Sequence, residues 1–134
     1  MRKVLAFITK TYLYILILPI LFNFLGAASN QLVLNANNDT FPVRVNERKI
    51  AEFTQGQPVV LSDGTVMLDD THCVMSSKTH LNLLADVIDF KGEGILSVGD
   101  LLLELGEFLG PMAPYLWGLA MIIQVGRKYT AEVA

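Results

Sequence analysis

The sequence predicts a membrane protein with two transmembrane helices flanking an external segment of short hairpins and amphipathic helices, a small α+β extramembrane cap. Three observations predict it. Thr11–Ala28 and Phe108–Val125 are uncharged 18-residue runs near the two ends. Between them, Ser29–Glu107 holds five Lys and Arg against twelve Asp and Glu. The two terminal flanks are basic, with Arg2, Lys3 and Lys10 before the first run and Arg127 and Lys128 against Glu132 after the second. Over 134 residues, 52% hydrophobic content and a mean hydropathy of +0.45 are high for a water-soluble chain, and the apolar residues are unevenly spread.

As a helix, Thr11–Ala28 extends about 27 Å, close to the hydrocarbon thickness of a bilayer. Pro19 removes one backbone hydrogen bond and predicts a kink. Arg2, Lys3 and Lys10 precede the run, with Tyr12 and Tyr14 at the depth amphipathic rings prefer. Gly26-Ala27-Ala28 also suits a signal-peptide cleavage site, but the apolar stretch exceeds the usual length of such a signal, so a retained anchor is expected. Phe108–Val125 contains Gly110-Pro111, read as a helix break with Pro111 opening a new helix. Tyr115 and Trp117 suit an interface or a partner helix, and Arg127 and Lys128 close the run. The basic flanks place both termini in the cytoplasm. The division expected is 1–28, 29–107 and 108–134.

Within the middle segment, Gln31–Ala36 alternates weakly as an extended stretch, then meets the turn residues Asn37-Asn38-Asp39. Asn37 suits a left-handed position, and Pro42 stiffens an extended Phe41–Val45. Arg48–Phe53 reads as a short helix or a continuing strand. Ser62-Asp63-Gly64 between Val59–Leu61 and Thr65–Leu68 predicts a hairpin. Leu81, Leu84, Val87 and Ile88 share one face of a helix expected over His80–Phe90, with Asp86 and Asp89 off it and Lys91–Gly94 ending it. Ser97 is a suitable N-cap for a helix over Val98–Leu109, with Asp100 at the positive end of its dipole and Gly99 allowing close packing.

Three blocks resemble a family of bacterial membrane proteins known as domain of unknown function 5317. The first is Ala36-Asn37, three residues, then Phe41-Pro42-Val43. The second is His72, Thr79, Leu81, Leu84, Asp86 and Ile88. The third is Ser97-Val98-Gly99-Asp100 continuing through Leu101–Gly106. The resemblance implies a bacterial inner or cell membrane and an architecture, with no activity attached. Members of the family usually carry more than one span before the first block, where this sequence has one.

Asp69, Asp70, His72, Cys73 and His80 are the only cluster of metal-ligand types, without a recognised spacing, so His72 is expected to be a hydrogen-bonded structural residue. Asp100, Glu104 and Glu107 fall on one helix face next to the second run. They read as a polar stripe meeting water or a partner, or else as ion or proton carriers. No phosphate loop, nucleophile–base pattern or basic nucleic-acid patch is present. An accessory or structural subunit of a larger membrane complex is therefore expected, in contact with lipid and other subunits, with no cofactor and no enzymatic role. The alternative is a small homo-oligomeric transporter or channel component using the acidic stripe.

Overall fold

The computed structural model describes residues 2–90 and 94–133. Its elements run α1 (Arg2–Ala36), β1 (Phe41–Val43), α2 (Glu47–Phe53), β2 (Val59–Val60), β3 (Val66–Met67), β4 (His72–Val74), β5 (Ile88–Phe90), β6 (Gly94–Leu96) and α3 (Val98–Val133). The residues form two compact units, one of Met1–Phe24 with Leu103–Ala134 and one of Leu25–Leu102.

The first unit is helical. Tyr12 meets Trp117 edge to face, with ring centroids 5.4 Å apart. A Cβ placed on Gly106 would lie 2.6 Å from Asn23 Oδ1. These two contacts make the helical stretches antiparallel. The exposed side chains are largely apolar: Tyr14, Ile20 and Phe24 on α1, and Phe108, Tyr115 and Ile122 on α3, are each more than 60% exposed. Among the described residues one helix, α1, is long and apolar enough to cross a membrane. That stretch is Lys10–Ala36, whose apolar 18-residue window has a mean hydropathy of 1.8.

Pro19 lies inside α1, and Pro111 and Pro114 lie inside α3, without ending either helix. The break expected at Gly110-Pro111 is therefore absent, and Val98–Leu109 and Phe108–Val125 belong to one helix. Each proline removes a single amide hydrogen bond from a helix of 35 or 36 residues, which such a helix can absorb. Gly26-Ala27-Ala28 is helical as well.

In the second unit β1 pairs parallel with β4, and β4–β3–β2 continue antiparallel, giving the sheet order β1-β4-β3-β2. The Asp63-Gly64 hairpin forms as expected, pairing Val59 with Met67 and Val60 with Val66. Gly64 takes the left-handed conformation (φ 84°) that the turn needs. Arg48–Phe53 is helical, with Asn46 accepting a hydrogen bond from the Lys49 amide as N-cap. β5 and β6 form a separate antiparallel pair, with Asp89 opposite Ile95. Val33, Phe41 and Ala85 form the buried core, with Leu34, Met75 and Leu84 packed on it.

Two expected elements differ. Gln31–Ala36 is the end of α1, and its Val33 is wholly buried in the core. Burying Val33 and Leu34 together outweighs the weak local alternation. The helix expected over His80–Phe90 is replaced by one turn at Leu81–Leu84 and strand β5. Both backbone groups of His80 are taken by the Asn37 side chain: Nδ2 donates to His80 O (2.9 Å) and His80 N donates to Oδ1 (2.7 Å). Leu81 then adopts φ 55°, outside the helical region. The Asp86 amide donates to Pro42 O and its carbonyl accepts from Arg44 N, which draws the segment onto β1. The helix terminator expected at Lys91–Gly94 lies outside the described residues except for Gly94, which opens β6.

Asn37 also donates to Val33 O at 2.8 Å, so its buried amide joins three segments. Asn37→Ala is expected to lower the stability of this unit by about 2–4 kcal/mol, because buried polar partners lose their bonds. Thermal unfolding in mild detergent, with proteolysis of the loops as a local readout, measures this. A loss no greater than that of an exposed control such as Asn38→Ala would contradict it.

Candidate functional site

The polar residues of the second unit gather in two places. The first is where the end of α1 meets the start of α3. Ser97 Oγ accepts from the Asp100 amide (2.9 Å), and Asp100 Oδ2 accepts from the Ser97 amide (2.9 Å), a reciprocal cap. Asn30 closes the arrangement: its Nδ2 donates to Asp100 Oδ1 (2.8 Å), and its Oδ1 accepts from Ser97 Oγ (3.0 Å). Gly99 permits this approach, because a Cβ there would collide with Asn30 Oδ1 and lie 2.8 Å from Gly26 O. Ser97 is wholly buried. These partners account for Ser97, Gly99 and Asp100, and Asn30 is the member that sequence reasoning missed. A lone Asn after an apolar run carries no local signal of such a role.

The second place is a cavity of about 450 Å³ between α2, β1, the β3–β4 turn and the β5–β6 pair. Val43, Phe53, Leu68 and Ile95 give it apolar walls, and Asp69, His72 and Asp86 also line it. Asp69 holds the turn into β4, accepting from the Thr71 and His72 amides at 2.8 Å each. Its carboxylate contacts His72 Nδ1 at 2.8 and 2.9 Å, accepting the hydrogen bond from that ring nitrogen. Burial pushes the Asp69 carboxyl up, but the hydrogen bonds from Thr71 and His72 outweigh it and bring it down to about 2. His72 is thus a hydrogen-bonded residue, and its ring also stands edge-on to Phe41.

Asp86 is 8% exposed. Its backbone pairs with β1, and no hydrogen bond to its carboxylate is present among the described residues. Burial pushes its carboxyl up to about 6, aided by the charge of Asp100 and partly offset by His72.

The remaining sequence candidates are dispersed. Left-handed backbone occurs at Asn38 (φ 55°) and Asp39 (φ 60°), the two residues after Asn37, while Asn37 itself acts through its side chain. Pro42 is fully buried in β1 and offers its carbonyl to Asp86. Asp70 and His80 are exposed and Cys73 is buried, so of the five possible metal ligands only Asp69 and His72 meet. Among the described residues no group of three His, Cys, Asp or Glu is placed to hold a metal ion. Asp100 is occupied by Asn30 and Ser97, while Glu104 and Glu107 are exposed. The hydroxyl beside the Asp69–His72 pair is that of Thr71, whose Oγ1 lies 3.1 Å from His72 Nδ1 and donates to Asp69 Oδ1 at 3.1 Å, as part of the turn into β4. What the arrangement can do is hold and exchange protons and receive positive charge.

Among the described residues, three helices, one of them apolar enough to span a bilayer, and two small sheets define the class, with a charged cavity inside the second unit. The chain belongs to the family of unknown function DUF5317, whose family model matches residues 4–110. No curated protein and no solved structure matches the chain.

Asp86 makes stability depend on pH. Its folded value of about 6 lies above the ordinary Asp value of 3.8, so between the two the folded chain holds the proton more tightly. The contribution is fully present below the lower value and is lost as pH rises through the upper one. Relative to Asp86→Asn, the native protein should lose on the order of 3 kcal/mol between about pH 4 and 7. Asp69 runs the other way, its contribution being lost as pH falls towards about 2. Melting temperatures of both proteins across this range test the first effect, and parallel pH curves would contradict it.

Proposed function

We propose that this protein is an integral membrane protein serving as an accessory or structural subunit of a larger membrane complex, and not an enzyme. The observation that supports it most is the outward display of large apolar side chains on α1 and α3, such as Phe24 at 68% and Ile122 at 71% exposure. In water, continuous apolar surface of this kind is strongly unfavourable, whereas lipid or a neighbouring helix covers it without cost. On this reading Phe108–Val125 is the second span, both termini are cytoplasmic, and the acidic segment 29–107 is the external cap. The polar helix residue Asn23 lies against Gly106, which suits a helix pair in lipid. The homo-oligomeric transporter reading has less support, since the Asp100 carboxylate is already bound by Asn30 and the Ser97 amide.

Membranes washed with carbonate should retain the protein, and mild detergent should release it with other membrane proteins in fixed stoichiometry. Solubility as a monomer without detergent would overturn the membrane reading. A homogeneous homo-oligomer that conducts ions in liposomes would overturn the subunit reading. Orientation is tested by Ser77→Cys, because Ser77 is exposed while the native Cys73 is buried. A membrane-impermeant maleimide should label Ser77→Cys from outside intact cells and leave the parent protein unlabelled. Labelling only after lysis would reverse the proposed topology.

A further inference from the structure

Among the described residues, the other ionisable side chains that line the cavity have partners, while the Asp86 carboxylate has none. Lys49 Nζ lies 3.4 Å from Asp89 Oδ2, His72 Nδ1 lies 2.8 Å from Asp69 Oδ2, and Glu52 pairs with Arg48 at 3.1 Å. Asp86 lines the same cavity, is more than nine-tenths buried, and accepts no hydrogen bond among the described residues. Its main chain already secures the segment to β1, so the fold does not need the carboxylate for that purpose. An ionised carboxylate without a counter-charge is costly at such a position, and a ligand cation would relieve that cost.

We propose that this cavity binds a small organic cation, an ammonium compound whose charged head meets the Asp86 carboxylate and whose apolar body lies against Phe53, Leu68 and Ile95. The space favours a molecule over an ion. About 450 Å³ falls within the roughly 300–1,000 Å³ of small-molecule sites. A bare metal ion needs several converging oxygens, and no such group is present among the described residues. An anion would face Asp86, Asp69, Asp89 and Glu52, with Lys49 already paired to Asp89 and His72 Nδ1 already bonded to Asp69. A neutral apolar molecule would leave Asp86 unpaired. The site lies within one unit and does not depend on whether the helices cross a bilayer.

Binding should depend on pH. Among the described residues, Asp86 shares the cavity with His72 from β4, Asp69 before it, Lys49 and Glu52 from α2 and Asp89 from β5, and the charged groups that act on its carboxyl are Asp100, from the start of α3, and His72. Burial and Asp100 raise the Asp86 carboxyl to about 6, so a cation and a proton compete for it across the mildly acidic range.

The test uses the full chain in nanodiscs, with empty nanodiscs as the blank. Butylammonium and benzylammonium are the probes, and butyrate and butanol are the controls. Ligand-observed NMR and calorimetry at about pH 8 should show saturable binding of the ammonium probes, in the millimolar range or tighter, and none of the controls. Below about pH 6 affinity should fall roughly tenfold per pH unit. Asp86→Asn should weaken binding at least about tenfold while keeping the native circular dichroism spectrum. Phe53→Ala, at a half-exposed position, should weaken it less and decides the matter should Asp86→Asn fail to fold. Absence of saturable binding, equal binding of butyrate, or affinity unaffected by both substitutions would overturn the proposal.

Discussion

The arrangement of the second unit depends on one closed set of hydrogen bonds, in which Asn30, Ser97 and Asp100 satisfy one another. Each member uses both its donor and acceptor capacity or, for Asp100, both carboxylate oxygens. Fully satisfied polar networks in buried surroundings are specific, because a shifted helix would leave several groups unpaired at once. Gly99 sets the distance at which the network can form, since any side chain there would occupy the space of the Asn30 amide. The network also fixes a negative charge near Asp86 and so contributes to the protonation behaviour of the cavity. A contact made for architecture thus acts on the candidate site.

Asn37 plays a comparable part at the other side of the unit. Its amide substitutes for the backbone partners that His80 would find in a helix, and so converts a leucine-rich segment into a turn and a strand. Asp86 reaches the cavity because its segment pairs with β1 through Pro42 and Arg44. Pro42, lacking an amide hydrogen, still serves this pairing because the bond it makes uses its carbonyl. With so small a core around Val33, Phe41 and Ala85, buried amides carry much of the specificity that a larger domain takes from packing.

Elements governed by neighbouring residues were legible in the sequence. The Asp63-Gly64 hairpin, the Asn37–Asp39 turn, and the Ser97–Asp100 cap each follow from groups within four positions of one another. The leucine spacing at Leu81, Leu84 and Val87 misled because period alone does not report a competing hydrogen bond from Asn37, 43 positions away. Gly110-Pro111 misled in the other direction, since a proline costs a long helix only locally. At the candidate site, His72 was legible as a hydrogen-bonded residue, but the partner Asp69 was only one of several neighbours with suitable chemistry.

By itself the sequence determined the charge-poor ends, the acidic middle, the local turns and caps, and the family resemblance, since all of these are properties of residue order. Only the tertiary structure decided that Asn30 completes the cap, that Val33 enters the core, and that Asp86 sits in a cavity without a side-chain partner among the described residues, with Lys49 and His72 already engaged. The reason is physical: a hydrogen bond between residues 70 positions apart, or the desolvation of one carboxylate, depends on distance in space, which local propensity does not encode.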